Sequence, residues 1–203
     1  MTNGLLFYWL SWLLWIYITF LMKKGKSRTL LGLWILLIIA FSDVYLTIMG
    51  FKFTISFVLL ALGAMFMFSK SSYLYYHLFC SLTIMVLYLT IRLWENYFPL
   101  WVMISKTFVS PFIIVLIVIL IIPKGFYDRV YTALLGVSGG ELVYSFILSS
   151  YSINESIGGY VFFDCIMVIL FSLIGIEGFQ ALWIKIKSLL GILKKSFRVI
   201  TED

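Results

Sequence analysis

Apolar residues run in long unbroken stretches along this chain, and polar residues gather in short clusters between them. The stretch from Gly4 to Met22 contains no charge, and the one from Thr29 to Met49 contains a single charge, Asp43. Between them stands Lys23-Lys24-Gly25-Lys26-Ser27-Arg28. Five further stretches follow: Phe53 to Ser69, Tyr73 to about Leu93, Lys106 to Ile122, Val130 to Ser149, and a last one from near Ile157 toward Trp183. Each approaches or exceeds the ~20 residues with which a helix crosses a bilayer. The pattern therefore predicts an all-α, polytopic integral membrane protein of seven transmembrane helices. In the second span Ala40, Asp43, Thr47 and Gly50 would share one face, because steps of three and four return to the same side of a helix.

Charge sets the expected orientation. Lys23, Lys24, Lys26, Arg28, Lys70, Lys124, Arg129, Lys185, Lys187, Lys194, Lys195 and Arg198 fall on one side of a seven-span arrangement, and only Lys52, Arg92 and Lys106 on the other. Cytoplasmic loops carry the excess of Lys and Arg, which predicts N-out, C-in. The last span is about 40 Å long if it runs to Trp183, more than one crossing requires. Beyond it Ile186, Leu189, Leu190, Leu193, Phe197 and Ile200 recur at helical spacing beside Lys187, Lys194, Lys195 and Arg198, the pattern of a basic amphipathic helix. The expected organisation is a seven-helix domain over residues 1–184 and a cytoplasmic amphipathic tail over 185–203. The tail would lie on anionic lipid or dock a partner protein.

Composition narrows the function classes. With 63% hydrophobic and 12% charged residues and a mean hydropathy of +1.10, a soluble domain is excluded. The net charge of +6 sits at helix ends, where orientation and headgroups account for it, so no nucleic-acid binding is expected. The first stretch lacks a basic leader and a small-residue cleavage site, and reads as a span instead of a removable signal. Cys80 and Cys165 fall at depths about 12 Å apart, beyond disulfide reach.

Three carboxylates lie within spans: Asp43, Glu141 and Asp164. Ionisable groups at membrane depth cost roughly 2.5–3.5 kcal/mol each on insertion scales, so they face the bundle or a wet cavity. With Arg92 and Lys106 at the same end, the three form a candidate outward-facing polar pocket, joined by Ser138, Tyr144, Ser145 and Tyr160. The same carboxylates serve equally as interhelical glue bonded to hydroxyls. Thr132, Gly136 and Gly140 make a small-residue ridge for close helix contact. His77, the only histidine, reads as part of an interfacial belt with Tyr73, Tyr75 and Tyr76. A lone histidine supplies neither paired haem ligands nor a zinc site. HExxH and phosphate-loop motifs are absent from the sequence, and no lysine stands mid-span to form a Schiff base. No catalytic residue, metal or cofactor is expected, and the protein is not expected to be an enzyme. Asn154-Glu155-Ser156 is formally a glycosylation sequon and carries little weight.

Phe7-Tyr8-Trp9, Trp12, Trp15-Ile16-Tyr17 and Phe20-Leu21-Met22-Lys23, with the length and span number, are similar to the YphA family of small membrane proteins from spore-forming bacilli. The resemblance implies a multi-pass protein of the bacterial cytoplasmic membrane, linked to sporulation or the envelope; it transfers no site. Two readings of function remain open: association within a membrane or envelope complex, and carriage of a small solute or cation by Asp43, Glu141 and Asp164.

Overall fold

The structure, a computed structural model, describes residues 4–48, 50–71, 73–97, 106–122, 125–151, 153 and 156–201; side-chain surroundings within 95–97, 106–109, 188–201 and at 181 and 184 lie outside that description. Its helices are α1 (Leu5–Ile16), prolonged by a π-helical turn Tyr17–Leu21, then α2 (Lys26–Ala40), α3 (Ile55–Phe68), α4 (Leu74–Tyr97), α5 (Lys106–Ile121), α6 (Phe126–Ser150) and α7 (Tyr160–Thr201). Stretches in three of them, Leu74–Trp94, Phe126–Ser150 and Tyr160–Lys187, are long and apolar enough to cross a membrane.

The second apolar stretch does not stay helical. Phe41 closes α2 with its N–H on Leu37 O, Ser42 Oγ donates to Ile39 O at 2.9 Å, and the chain turns. Tyr45–Ile48 (β1) then pairs antiparallel with Phe51–Thr54 (β2), Ile48 opposite Phe51, through a two-residue connection that includes Gly50 at φ +85°. The chain is mostly helical, as expected, but a two-stranded hairpin joins α2 to α3, helix α2 ends at Ala40, and the expected helical face of Ala40, Asp43, Thr47 and Gly50 does not form. The physical reason lies in the residues. Aromatic and β-branched side chains alternate about a glycine, which favours a pleated ribbon over a helix. The hairpin is anchored to the start of α7, where Ile157 N–H donates to Lys52 O at 2.8 Å and Thr54 N–H to Ile157 O at 3.1 Å. Phe53 and Thr54, expected at the head of span three, belong to β2.

Other boundaries move less. Helix α4 continues past Leu93 to Tyr97, and Lys124 and Asn154-Glu155 lie outside the described residues. Helix α7 runs 42 residues without a break at 184/185, about 63 Å at 1.5 Å per residue.

Helix α6 occupies the centre, packed by α3, α4, α5 and α7, while α7 also meets α1 and α5. Its contact with α4 is close because glycine allows it. A Cβ on Gly136 would stand 2.7 Å from Ser81 O, and one on Gly140 2.7 Å from the Tyr88 ring. Between α2 and α3, Trp34 packs over Gly63 and its Nε1 donates to Leu59 O at 3.3 Å. Cys80 and Cys165 are both buried and are not joined in a disulfide. His77, read from the sequence as part of an interfacial belt, packs within the bundle. It is 4% exposed, with its ring edge-on to Tyr76 and Tyr131, because α4 turns that face onto α6.

Candidate functional site

Helix α1 begins at Gly4 with no side-chain cap of its own, and its first N–H groups need acceptors. Asp164 on α7 provides them. Its Oδ2 accepts Gly4 N–H at 2.9 Å and its Oδ1 accepts Phe7 N–H at 2.7 Å. One carboxylate thus holds the two donors that a local capping box would satisfy, and its charge lies at the positive end of the helix dipole. Gly4 adopts φ +92° with the Tyr160 ring directly against it, where a Cβ would collide. The Phe7 and Phe163 rings pack beside the cap in a tilted arrangement, with centroids 4.8 Å apart.

One turn before Asp164, Tyr160 reaches Asp43. Tyr160 OH donates to the Asp43 carboxylate and lies 3.3 Å from Tyr8 OH, which in turn is 2.8 Å from Ser42 Oγ. Since Ser42 gives its only proton to Ile39 O, Tyr8 is the donor to Ser42. The chain of hydroxyls ties α1, the end of α2 and the start of α7 together at the hairpin end. Asp43 is exposed there, whereas Ser42 and Asp164 are buried.

Glu141 has a different set of contacts. It is 3% exposed and accepts Tyr88 OH on Oε2 at 2.6 Å. One turn further along each helix, the Arg92 guanidinium lies over the Tyr144 ring, 4.8 Å from its centroid, a cation–π contact. Ser138 and Ser145 are buried on the same helix. Of the five predicted site residues, the structure thus brings Asp43 and Asp164 to the shared α1–α7 end, places Glu141 and Arg92 along the α4–α6 seam, and leaves the Lys106 side chain outside the described residues.

At the opposite end, sequence reading assigned Arg129 only to an inner loop. It is 4% exposed, donates from Nε to Ile122 O at 2.7 Å and pairs with Glu177 at 3.5 Å, so it joins the end of α5 to α6 and α7. Tyr8 and Ser42 were also missed as members of the hairpin-end cluster. The signal available was indirect: an apolar helix beginning at glycine without Ser, Thr, Asp or Asn as its cap needs an acceptor from elsewhere. Among the described residues, no three His, Cys, Asp or Glu side chains gather as metal ligands.

Comparison with known proteins agrees with a fold of packed apolar helices. Residues 3–198 match the family described as YphA-like integral membrane protein. The chain is 25% identical over 179 residues, 87% of its length and 88% of the relative's, to a Bacillus subtilis (strain 168) protein that bears the name "Uncharacterized protein YphA". No solved structure matches the chain. With the family's pattern extending from the start of α1 to the far end of α7, the chain belongs to the YphA-like integral membrane protein family.

Proposed function

We propose that the protein is a non-enzymatic, multi-pass component of the bacterial cytoplasmic membrane, with seven spans oriented N-out and C-in, that acts by associating with a membrane or envelope partner through the far end of α7. The observation that carries this reading is the length of α7, 42 residues against the ~20 that a crossing uses. Phe179, Leu182, Trp183 and Ile186 stand exposed toward the end of the apolar stretch of α7, at spacings that place them on one stripe. Phe179 and Trp183 stack with centroids 6.3 Å apart, and Lys187 Nζ lies 5.4 Å from the Trp183 ring. Exposed Lys185 and Lys187 flank the stripe and favour anionic headgroups or an acidic partner face. The bonded state of the buried carboxylates supports the same reading, because Asp164 serves the cap of α1 and Glu141 holds Tyr88.

The test is a pull-down from native membranes with the full chain, a chain ending at 182, and a Leu182→Glu/Ile186→Glu variant. A partner retained by the first and lost from the other two supports association. Equal capture by all three sinks it. Cation or solute flux in proteoliposomes that disappears in Asp43→Asn would favour the carrier reading instead. A sporulation role is tested by spore yield of a strain lacking the gene.

A further inference from the structure

An apolar cavity of about 470 Å³ lies between α1, α2, α3, α6 and α7 in the half of the bundle that ends at the Lys23–Arg28 turn. Its volume falls within the ~300–1,000 Å³ of small-molecule sites. The deep walls are Ile35 and Ile38 of α2, Leu60 of α3, Leu134 of α6 and Met167 of α7, all buried. Toward the basic end the lining changes to Tyr17, Met22, Tyr127, Glu177 and Gly178, of which Tyr17, Tyr127 and Gly178 are exposed and Glu177 is paired with Arg129. The cavity is therefore closed toward the bundle interior and open at that end.

What stands at the opening identifies the occupant. Met22 lines the cavity and is followed directly by Lys23, Lys24 and Lys26, all exposed, and by Arg28, whose Nη1 donates to Thr19 O at 3.2 Å. The nearby acids are engaged: Glu177 pairs with Arg129, and Asp128 accepts Tyr131 OH at 2.9 Å. A ligand for this place has a long apolar body and an anionic head, and must reach a site inside an integral membrane protein. A polar metabolite would leave its hydrogen-bonding groups unpaired against these walls. We propose that the cavity binds one acyl chain of an anionic phospholipid from the adjoining leaflet, with the headgroup phosphate held by the Lys23–Arg28 turn. The site is separate from the stripe on α7, and its occupancy does not depend on that stripe's partner.

The full chain in nanodiscs is labelled with phosphatidylglycerol that carries a photoreactive diazirine near its chain terminus, in competition with unlabelled phosphatidylglycerol or phosphatidylcholine of the same acyl chains. Crosslinks are expected on the α2 segment around Ile35 and the α7 segment around Met167, displaced several-fold better by phosphatidylglycerol. Gly178→Phe projects a ring at the opening, where a Cβ meets nothing within 4 Å, and is expected to lower those crosslinks several-fold while the melting temperature holds. Lys24→Gln/Lys26→Gln, on exposed positions, is expected to abolish the preference for phosphatidylglycerol. Labelling that falls equally on the exposed α3 residues Leu62, Met65 and Phe66, competition that is equal for the two lipids, or crosslinks undiminished in Gly178→Phe would overturn the proposal. Should Gly178→Phe fail to fold, an undiminished headgroup preference in the lysine variant is by itself enough to overturn it.

Discussion

Asp164 accepts the backbone N–H of Phe7 at 2.7 Å across 157 residues of sequence. A buried acid is here the N-terminal cap of a helix at the far end of the chain. Asp164→Ala removes the acceptor for Phe7 and Gly4 together, and losing a cap costs about 0.5–2 kcal/mol, at the upper end here because the donors are buried. Asp164→Asn keeps one carbonyl oxygen and should lose less. Melting of the purified protein in detergent, with hydrogen exchange at the start of α1, checks both. Asp164→Ala with the stability and exchange of the parent would show that the cap contributes nothing.

The glycines of α6 offer a graded test of helix contact. At Gly136 and Gly140 an added Cβ meets backbone, Ser81 O at 2.7 Å and Met85 O at 3.0 Å, whereas at Gly139 it meets the movable Met85 Sδ at 3.1 Å. Overpacking against backbone costs roughly 1–3 kcal/mol. Alanine at 136 or 140 should therefore destabilise the protein clearly, and alanine at 139 should be tolerated. At Gly175 nothing lies within 4 Å, and alanine there gains helix propensity of up to about 1 kcal/mol. Four melting temperatures that did not separate in this order would contradict the close α4–α6 seam.

How much of this was legible depends on whether the cause was local. Apolar runs and basic clusters are local, and they yielded the helices and the membrane assignment directly. The 45–54 hairpin was equally local, with Tyr45, Thr47, Ile48, Phe51 and Phe53 around Gly50, but hydropathy summed over the run cannot tell an apolar ribbon from an apolar helix. The Asp164 cap, the Tyr160–Asp43 bond and the Arg129–Glu177 pair join positions 48 to 160 residues apart. No spacing rule reaches that far. The three carboxylates could be singled out by their desolvation cost, yet which donor would satisfy each is a property of the assembled bundle.

Tyr88 and Glu141 form a buried donor–acceptor pair at 2.6 Å. Tyr88→Phe leaves a buried carboxylate short of a donor, and Glu141→Gln changes the acceptor to an amide. Residues in contact couple by about 0.5–3 kcal/mol, so the double variant should be destabilised by less than the sum of the singles. A cycle run on unfolding in mixed micelles measures this. Strict additivity would mean that the hydrogen bond does not contribute to stability.

The proposed orientation makes a prediction that the geometry strengthens. Asp164, near the start of α7, bonds Gly4 at the start of α1, so these two helices begin at the same end of the bundle. Ile157 bonds Lys52 and Thr54, which brings the hairpin and the α6–α7 connection to that end as well. Arg129, Glu177 and the Lys23–Arg28 turn mark the other end, and it is there that the basic residues concentrate. In the proposed orientation, positive-inside bias puts that end in the cytoplasm. Single cysteines at Lys26 and Ser152, in a Cys80→Ser/Cys165→Ser background, separate the two faces. On intact cells a membrane-impermeant maleimide should label position 152 and spare position 26 until the membrane is opened. Labelling of 26 alone would reverse the whole bundle at once, since the contacts between α1, the hairpin and α7 leave no way to invert one of them separately.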